Sequence, residues 1–189
     1  GCVRDSLLGK QPNDWDITTS AKPEEVKAIF HRTIDTGIQH GTVTVLVDRE
    51  ILDDGSGSPA SHTDYAFEVT TYRVDGVYTD HRRPESVCFT ASLEEDLKRR
   101  DFTINAMAYN PEQGVIDIFG GQEDLEKGII RCVGEASERF DEDALRILRA
   151  VRFAAQLDFV IEDQTREAMR DQAKFLKDIS AERICTFCP

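Results

Sequence analysis

The chain has 189 residues, of which 40% are hydrophobic and 31% are charged, and its formal net charge is −13. This composition is typical of a globular protein of one domain or one and a half, and no apolar run approaches the roughly 20 residues that span a bilayer, so we expect no membrane partner. The negative charge disfavours a surface that grips a nucleic-acid duplex, and the five scattered cysteines predict a reducing, cytoplasmic compartment rather than a disulfide framework.

The first informative pattern is the pair Asp14 and Asp16, which follows a turn that contains glycine and arginine. Side chains alternate along an extended segment, so both carboxylates project from one face while Trp15 points to the other. Two carboxylates on one strand suit a pair of divalent cations that hold a triphosphate. The alternative is an exposed acidic turn that caps the helix that follows.

Helix and strand signals then alternate along the first half of the chain. Proline followed by two glutamates predicts a helix from Pro23 to about Phe30. Alternating β-branched residues predict strands at 42–48 and 65–73. The glycine- and serine-rich residues 50–64 predict a loop, and the polar residues 76–87 predict a mobile loop.

The second half of the chain changes from mixed to helical periodicity. Ser92 and Glu95 form a capping box that opens a helix through Arg99. The elements predicted after it are a helix at 102–108, a strand at 115–119, a helix at 122–127, a strand at 129–133, and helices at 137–157 and 164–175. The apolar stripe of the helix that ends near residue 157 is expected on Leu145, Leu148, Val151 and Ala155. The sequence therefore predicts an α+β protein, with a mixed domain at 1–134 and an all-helical domain at 135–189.

Four sequence blocks occur in order along the chain: GCVRD with DWDITT (1–19), RRDFTINAMA (99–108), DIFGGQEDL (117–125) and RFDEDALRILRAVRF (139–153). With these blocks, residues 1–183 resemble the head and neck of class II tRNA nucleotidyltransferases, within the bacterial CCA-adding enzyme and poly(A) polymerase superfamily. The resemblance implies a palm-like nucleotidyltransferase head, which is a mixed sheet with flanking helices, followed by a helical neck. It also implies a fragment that lacks the first strand of the head and the helical body beyond the neck.

In the first block, the resemblance implies that Gly1 allows close approach of the backbone to phosphates and that Arg4 contacts the triphosphate. It implies that Asp14 and Asp16 are catalytic and bind Mg²⁺, with one ion activating the primer 3′-hydroxyl and the other bridging the phosphates. Glu68 lies on the predicted neighbouring strand. It is either a third catalytic carboxylate or a surface glutamate.

The second block supplies predicted contacts to the nucleotide. The resemblance implies that Arg99, Arg100 and Asp101 contact the sugar and the triphosphate, with Asp101 a candidate reader of the ribose hydroxyl. Two arginines beside an aspartate can instead form a structural ion-pair cluster, and we expect at least one of them to do so, since adjacent residues on a helix point different ways. Asn105 either joins this site or bonds to the backbone. In the third block, the strand end and glycine turn indicate a structural or hinge role, and no catalytic residue is expected there.

The fourth block predicts how the base is chosen. Asp143 and Arg146 are three residues apart, so on a helix they are neighbours. A carboxylate accepts from the amine of cytosine while a guanidinium donates to the ring acceptor beside it, and adenine presents a similar edge, so such a pair can select C and A without a template. The alternative is a surface salt bridge worth about 0.3–0.5 kcal/mol. Arg149 and Arg152 are further candidate nucleotide contacts, of which Arg149 is favoured.

The function implied by the resemblance is template-independent addition of C and A nucleotides to the tRNA 3′ end, from CTP and ATP, with release of pyrophosphate and with Mg²⁺ as cofactor. The segments at 40–45 and 68–73 favour the CCA-adding branch. Alternatives are a bacterial poly(A) polymerase, an enzyme that adds only CC or only A, and a non-catalytic nucleotide- or tRNA-binding fragment. Cys185 and Cys188 resemble half of a zinc site, but no second pair completes it, and we interpret the spacing as accidental.

Overall fold

The structure, a computed structural model, describes residues 1–48, 65–76, 86–182 and 184. The chain divides into two compact units, which are Gly1–Val74 with Phe89–Glu95, and Asp75–Cys88 with Asp96–Pro189. The predicted loop at 50–64, most of the predicted loop at 76–87, and the Cys185 and Cys188 pair lie outside the described residues. Within the described stretches, no helix combines the length and the apolar character needed to cross a membrane.

A four-stranded mixed sheet forms the centre of the first unit, in the order β1-β4-β3-β2. Its strands are β1 (Asp16–Thr19), β2 (Thr33–Gly37), β3 (Thr42–Val47) and β4 (Tyr65–Thr71). β4 runs parallel to β1 and antiparallel to β3, which in turn is antiparallel to β2. The strands predicted at 42–48 and 65–73 are confirmed. The sequence did not indicate β2, because its five residues TIDTG contain a single apolar side chain.

One face of this sheet packs against a helix. α2 (Pro23–Ile29) begins at the proline, as predicted, and Lys22 is its N-cap residue. The buried cluster of the unit consists of Val26 from this helix and valines from the two central strands: Val43, Val45 and Val69. Because side chains alternate along a strand, the opposite face of the sheet carries the polar residues that lie between these valines.

Short elements surround the sheet. The N-terminal residues that the sequence indicated as a turn form a helix, α1 (Cys2–Leu7). β5 (Arg73–Asp75) and β6 (Val87–Phe89) form a two-stranded sheet. α3 (Leu93–Lys98) follows the predicted cap, because the Ser92 hydroxyl accepts a hydrogen bond from the Glu95 backbone N–H at 3.3 Å.

The second unit is mainly helical. It contains α4 (Gly121–Lys127), α5 (Ala136–Glu142), α6 (Leu145–Leu157) and α7 (Asp163–Gln172). Its strands are β7 (Met107–Asn110), which is antiparallel to β8 (Gly114–Asp117), and β9 (Ile129–Ile130), which is parallel to β10 (Val160–Ile161). The predicted α+β class is therefore confirmed, with the two-residue β10 as an addition within the predicted helical part.

The predicted helix at 102–108 is wrong. Thr103–Asn105 is a single 3-10 turn, and Met107 begins β7. The backbone N–H of Phe102 donates to the Asp101 carboxylate at 2.8 Å, and the N–H of Thr103 donates to the Arg131 carbonyl at 2.9 Å. Phe102 is extended and pairs with Cys132 as an isolated β-bridge, so a helix cannot include it, and the apolar residues of this segment are buried without helical periodicity.

The apolar stripe predicted on α6 is confirmed at Leu145, which is buried, and at Leu148, which packs against the same buried cluster, but it is wrong further along the helix. Val151 is 53% exposed and Ala155 is also exposed. The helix buries instead the face formed by Ile147, Ala150 and Phe153. The ring of Phe153 meets the ring of Phe102 edge-on, with 6.0 Å between the centroids, which joins this helix to the segment that follows Asp101.

Candidate active site

An acidic pair occupies the polar face of the sheet in the first unit. Asp16 is the first residue of β1, and its register partner on the parallel strand β4 is Glu68. Register partners on adjacent strands project from the same face, so the two carboxylates are neighbours. Both residues are exposed, and Asp14, two positions before Asp16, is exposed as well. The structure thus brings together Asp16 and Glu68, and it places Asp14 at the entry to the same strand.

The chemistry of this acidic pair fits a divalent cation. Carboxylate oxygens are hard ligands of the kind that Mg²⁺ prefers, and cations of this type retain several waters when few protein ligands are present. Among the described residues, no three side chains of His, Cys, Asp or Glu are grouped so that they could hold an ion by themselves. Asp16 and Glu68 therefore offer a partial ligand set on an exposed surface.

Arg4 and Gly1 lie at the short N-terminal helix α1. Arg4 is 9% exposed, and its Nε donates to the Asp5 carboxylate at 2.8 Å. Gly1 is the N-cap residue, and a Cβ placed on it would meet no atom within 4 Å. Arg4 is thus fixed by an acidic neighbour on its own helix, while the space beside Gly1 is open.

The candidate residues of the second unit converge on Asp101. This residue is 7% exposed, and its Oδ1 accepts from the Phe102 N–H at 2.8 Å and from the Asn105 side-chain amide at 3.1 Å. Its Oδ2 accepts a hydrogen bond from Nε of Arg149 at 2.6 Å and forms an ion pair with Nη2 of the same guanidinium, also at 2.6 Å. Burial acts to raise the pKa of this carboxyl, but the charge of Arg149 and these hydrogen bonds outweigh it and hold the pKa below its ordinary value. Asp101 is therefore ionised and bound to Arg149 at neutral pH.

Arg99 and Arg100 form an ion-pair cluster with Asp96, a fully buried residue of α3. The Nη2 of Arg99 donates to Oδ1 of Asp96 at 2.8 Å, and the Nη2 of Arg100 donates to Oδ2 at 3.3 Å. The sequence predicted such a cluster for at least one of the two arginines, and both take part. Asp96 itself was missed, although its spacing of three and four residues from the two arginines is the signal for contacts on one helix.

Arg146 is buried and makes contacts that differ from those predicted. Its Nη1 donates to the Arg139 carbonyl at 3.0 Å and to the Glu142 carboxylate, and its Nη2 donates to the Arg99 carbonyl at 3.0 Å. Asp143 lies in the turn before α6, where its carboxylate accepts from the Leu145 N–H at 3.0 Å. The two residues are therefore not neighbours within one helix as predicted, because the chain is extended at Asp143.

Two arginines of α6 flank the ring of Phe153. The guanidinium carbon of Arg149 is 5.2 Å from the ring centroid, and that of Arg152 is 5.1 Å from it. Such cation–π contacts orient guanidinium planes against a buried ring. Arg149 combines this contact with its pairing to Asp101, so two neighbouring side chains hold its guanidinium in place. The spacing of the arginines did not indicate either contact.

The third block is structural, as predicted. Both oxygens of Asp117 accept backbone N–H groups at the start of α4, those of Gly121 and Gln122, at 2.8 Å each. Asp124 is 4% exposed, accepts from the Thr103 hydroxyl at 2.7 Å, and also receives the Arg131 guanidinium. The hydrogen bond to Asp124 is the main reason that the pKa of Arg131 is raised. These contacts anchor the turn that follows Asp101.

Comparison with known proteins places this architecture in a family. Residues 1–131 match the poly A polymerase head domain, which covers more than half of the chain. The chain belongs to this family. Residues 158–186 match a second family, described as a probable RNA and SrmB-binding site of polymerase A.

Similar proteins of this family are CCA-adding enzymes. The chain is 55% identical over 184 residues to the CCA-adding enzyme of Leuconostoc mesenteroides, and the match covers 97% of the chain and 42% of that relative. The crystal structure of Bacillus stearothermophilus CCA-adding enzyme in complex with CTP is similar with a TM-score of 0.82 and 47% identity, over 99% of this chain and 41% of that one. Thermotoga maritima CCA-adding enzyme complexed with tRNA-CCA is similar with a TM-score of 0.70 and 28% identity, over 99% of this chain and 40% of that one. The chain thus spans about two fifths of the length of the proteins it matches, and the family resemblance predicted from the four blocks is confirmed.

Proposed function

We propose that this chain is the catalytic part of an enzyme that adds C and A nucleotides to the tRNA 3′ end without a template, from CTP and ATP, with release of pyrophosphate. The observation that carries the proposal is the register pairing of Asp16 with Glu68 on the polar face of a sheet that lies within the matched head domain. The high identity to CCA-adding enzymes supports the activity, and the similar structures with CTP and with tRNA support the substrates.

The proposed cofactor is Mg²⁺, held by Asp14 and Asp16 with Glu68 beside them. Bound divalent ions of this kind activate a hydroxyl nucleophile and neutralise the charge that develops on phosphate oxygens. The contribution of the chain is to place Asp16 and Glu68 on adjacent strands, so that backbone hydrogen bonds of the sheet fix their separation. Asp14 lies outside the strand and adds a carboxylate whose position is less constrained.

The proposed nucleotide contacts are the backbone at Gly1 and a set of charged or polar side chains: Arg4, Arg99, Arg100, Asp101, Asn105, Asp143, Arg146, Arg149 and Arg152. Arg146 is the proposed reader of the base together with Asp143. Its acceptors, which are Glu142 and two backbone carbonyls, fix the plane of the guanidinium. A fixed plane is what discrimination between base edges requires, because hydrogen-bond selectivity is lost when the donors can rotate.

We also propose that residues 1–134 are the head domain and residues 135–189 the neck, since the head-domain match ends at residue 131 and the second match begins at residue 158. A cytoplasmic location is supported by the free thiols of Cys2, Cys88 and Cys132. The relatives do not favour the alternatives, which are a bacterial poly(A) polymerase, a CC-only or A-only enzyme, and a non-catalytic binding fragment.

The test is incorporation of labelled CTP and ATP into tRNA that lacks its 3′ CCA, with the full-length protein and Mg²⁺. We expect ordered addition of C, C and A, and a loss of at least about a hundredfold in Asp14→Asn and in Asp16→Asn, because each removes a proposed metal ligand. Asp35→Asn is the matched control, since Asp35 is an exposed acid on β2 of the same sheet. Incorporation that is unchanged in both Asp14→Asn and Asp16→Asn would contradict the proposal, and addition of A alone would replace it with a tailing activity.

A further inference from the structure

Two adjacent arginines of the second unit share one buried carboxylate. Asp96 is 0% exposed, and its Oδ1 accepts from Nε of Arg99 at 3.1 Å and from Nη2 at 2.8 Å. Its Oδ2 accepts from Nη2 of Arg100 at 3.3 Å. Arg99 and Arg100 directly follow Lys98, the last residue of α3. The two oxygens of Asp96 therefore draw both guanidinium groups toward one side.

The two arginines are not held equally. Arg99 makes two bonds to Asp96, and its Nη1 also lies 3.8 Å from Oδ2 of Asp75, so it stands between two carboxylates. Arg100 makes one long bond to Asp96 and another, at 3.4 Å, to the Asn105 carbonyl. Both distances are near the upper limit for a hydrogen bond. The partners of Arg100 thus orient its guanidinium but do not satisfy all of its N–H donors.

A further observation concerns the Nε group of Arg100, although Arg139 shows the same feature. It is buried and has no hydrogen-bond acceptor within the part of the chain that the structure describes. A buried N–H donor without an acceptor is unfavourable, and such groups in native proteins require an explanation. A guanidinium offers parallel donors that match the oxygens of a phosphate. The Arg100 side chain as a whole is 30% exposed, so a bound phosphate can approach it and supply an acceptor to the guanidinium.

We propose that Asp96 is a positioning residue that orients Arg100 toward the terminal phosphates of the bound nucleoside triphosphate, whereas Arg99 mainly holds the cluster together. This inference rests on the proposed nucleotidyltransferase function and refines the role of one part of its site. The division of roles follows from the contacts, because Arg99 faces two carboxylates and Arg100 shares only one. The terminal phosphates carry most of the charge of a nucleoside triphosphate, so they suit the less neutralised arginine.

The test compares the dissociation constants of CTP and CMP for the full-length wild-type protein and for Asp96→Asn. Asparagine keeps the volume but has one acceptor oxygen, so it cannot serve both arginines, and the more weakly held Arg100 loses its partner. We expect CTP binding to weaken about tenfold, as for one charge-assisted hydrogen bond, while CMP binding stays within about twofold. Glu94→Gln is the matched control, because it removes an exposed carboxylate from the same helix and should change neither constant.

The possible results separate this inference from the proposed function. A parallel weakening of CTP and CMP binding, or no weakening of either, would overturn the positioning role. If Asp96→Asn does not fold, Arg100→Lys replaces it, since lysine keeps the charge but lacks Nε and the planar fork. Selective loss of CTP binding in Arg100→Lys supports the inference, and an unchanged ratio of the two constants overturns it. Incorporation assays with the wild-type protein test the proposed function separately, because the binding ratio requires no nucleotide transfer.

Discussion

Replacement of Asp101 by asparagine is the sharpest test of how the second unit is held together. Asp101 is 7% exposed and binds Arg149, 48 residues away in sequence, through one hydrogen bond of 2.6 Å from Nε and an ion-pair contact of 2.6 Å with Nη2. Asparagine has nearly the same shape, but it carries no charge, and its amide group would face the guanidinium with donors instead of acceptors. The substitution therefore removes the ion pair without creating a cavity.

The expected loss of stability can be worked out from burial. Removal of one partner from a buried ion pair costs about 3–5 kcal/mol. The Arg149 side chain is 31% exposed, so water can partly solvate the unpaired guanidinium. We therefore expect Asp101→Asn to lower the free energy of unfolding by about 2–3 kcal/mol, which shifts the urea midpoint by about 1 M for a chain of this size.

The assay is urea unfolding followed by far-UV circular dichroism. Asp163→Asn is the matched control, since Asp163 also pairs with an arginine but its side chain is 83% exposed, and we expect a change within about 0.5 kcal/mol. A double-mutant cycle with Arg149→Gln should show strong coupling, because the two substitutions break the same contact. Equal effects of Asp101→Asn and Asp163→Asn, or additive effects in the cycle, would refute the reasoning.

The pH dependence provides a second readout of the same contact. The folded pKa of Asp101 lies below the ordinary value of 3.8, so near that pH the unfolded chain binds more protons than the folded chain. The stabilisation is fully present well above that ordinary value and is lost as the pH falls through the lower folded pKa. The difference in stability between wild type and Asp101→Asn should therefore be constant from pH 7 to about pH 5 and should shrink between about pH 5 and about pH 2. A difference that stays constant down to about pH 2 would show that Asp101 does not titrate as inferred.

Two further predictions concern packing and thiol chemistry. Gly121→Ala should destabilise the protein by about 1–3 kcal/mol in thermal unfolding, because a Cβ there would lie 2.3 Å from the Thr103 carbonyl oxygen. Gly37→Ala is the control and should cost less, since its Cβ meets only an ordinary contact at 3.5 Å. Equal losses of stability in the two variants would contradict this account. A thiol reagent at pH 8 should modify the exposed Cys88 at once and Cys132 only after denaturation, since burial raises the pKa of Cys132 to about 12. Rapid reaction of both thiols in the folded protein would contradict this prediction.

The sequence alone was sufficient for features that depend on neighbouring residues. Alternating β-branched residues predicted β3 and β4, a proline predicted the start of α2, and Ser92 with Glu95 predicted the start of α3. The side-chain period of a strand likewise puts Val69 and Glu68 on opposite faces, and the structure buries Val69 and exposes Glu68. Local periodicity and capping determine these features, so they can be read from a short window of residues.

The sequence patterns were insufficient where distant residues compete for the same backbone groups. The apolar residues after Asp101 resemble a helix, but Phe102 is held extended by its bridge to Cys132, and the Thr103 N–H donates to the Arg131 carbonyl. The same is true of Arg146, whose burial depends on a backbone carbonyl 47 residues away. No local pattern contains that information, because tertiary packing decides which acceptors come within reach.

The acidic pair shows where the two kinds of information meet. The spacing of Asp14 and Asp16 predicted carboxylates at the start of a strand, and the chain itself determined that chemistry. Glu68 lies beside Asp16 because β1 and β4 pair in parallel, although the two residues are 52 positions apart in sequence. Only the tertiary structure could decide it, since strand order and register are set by the burial of the valine face and not by any single segment.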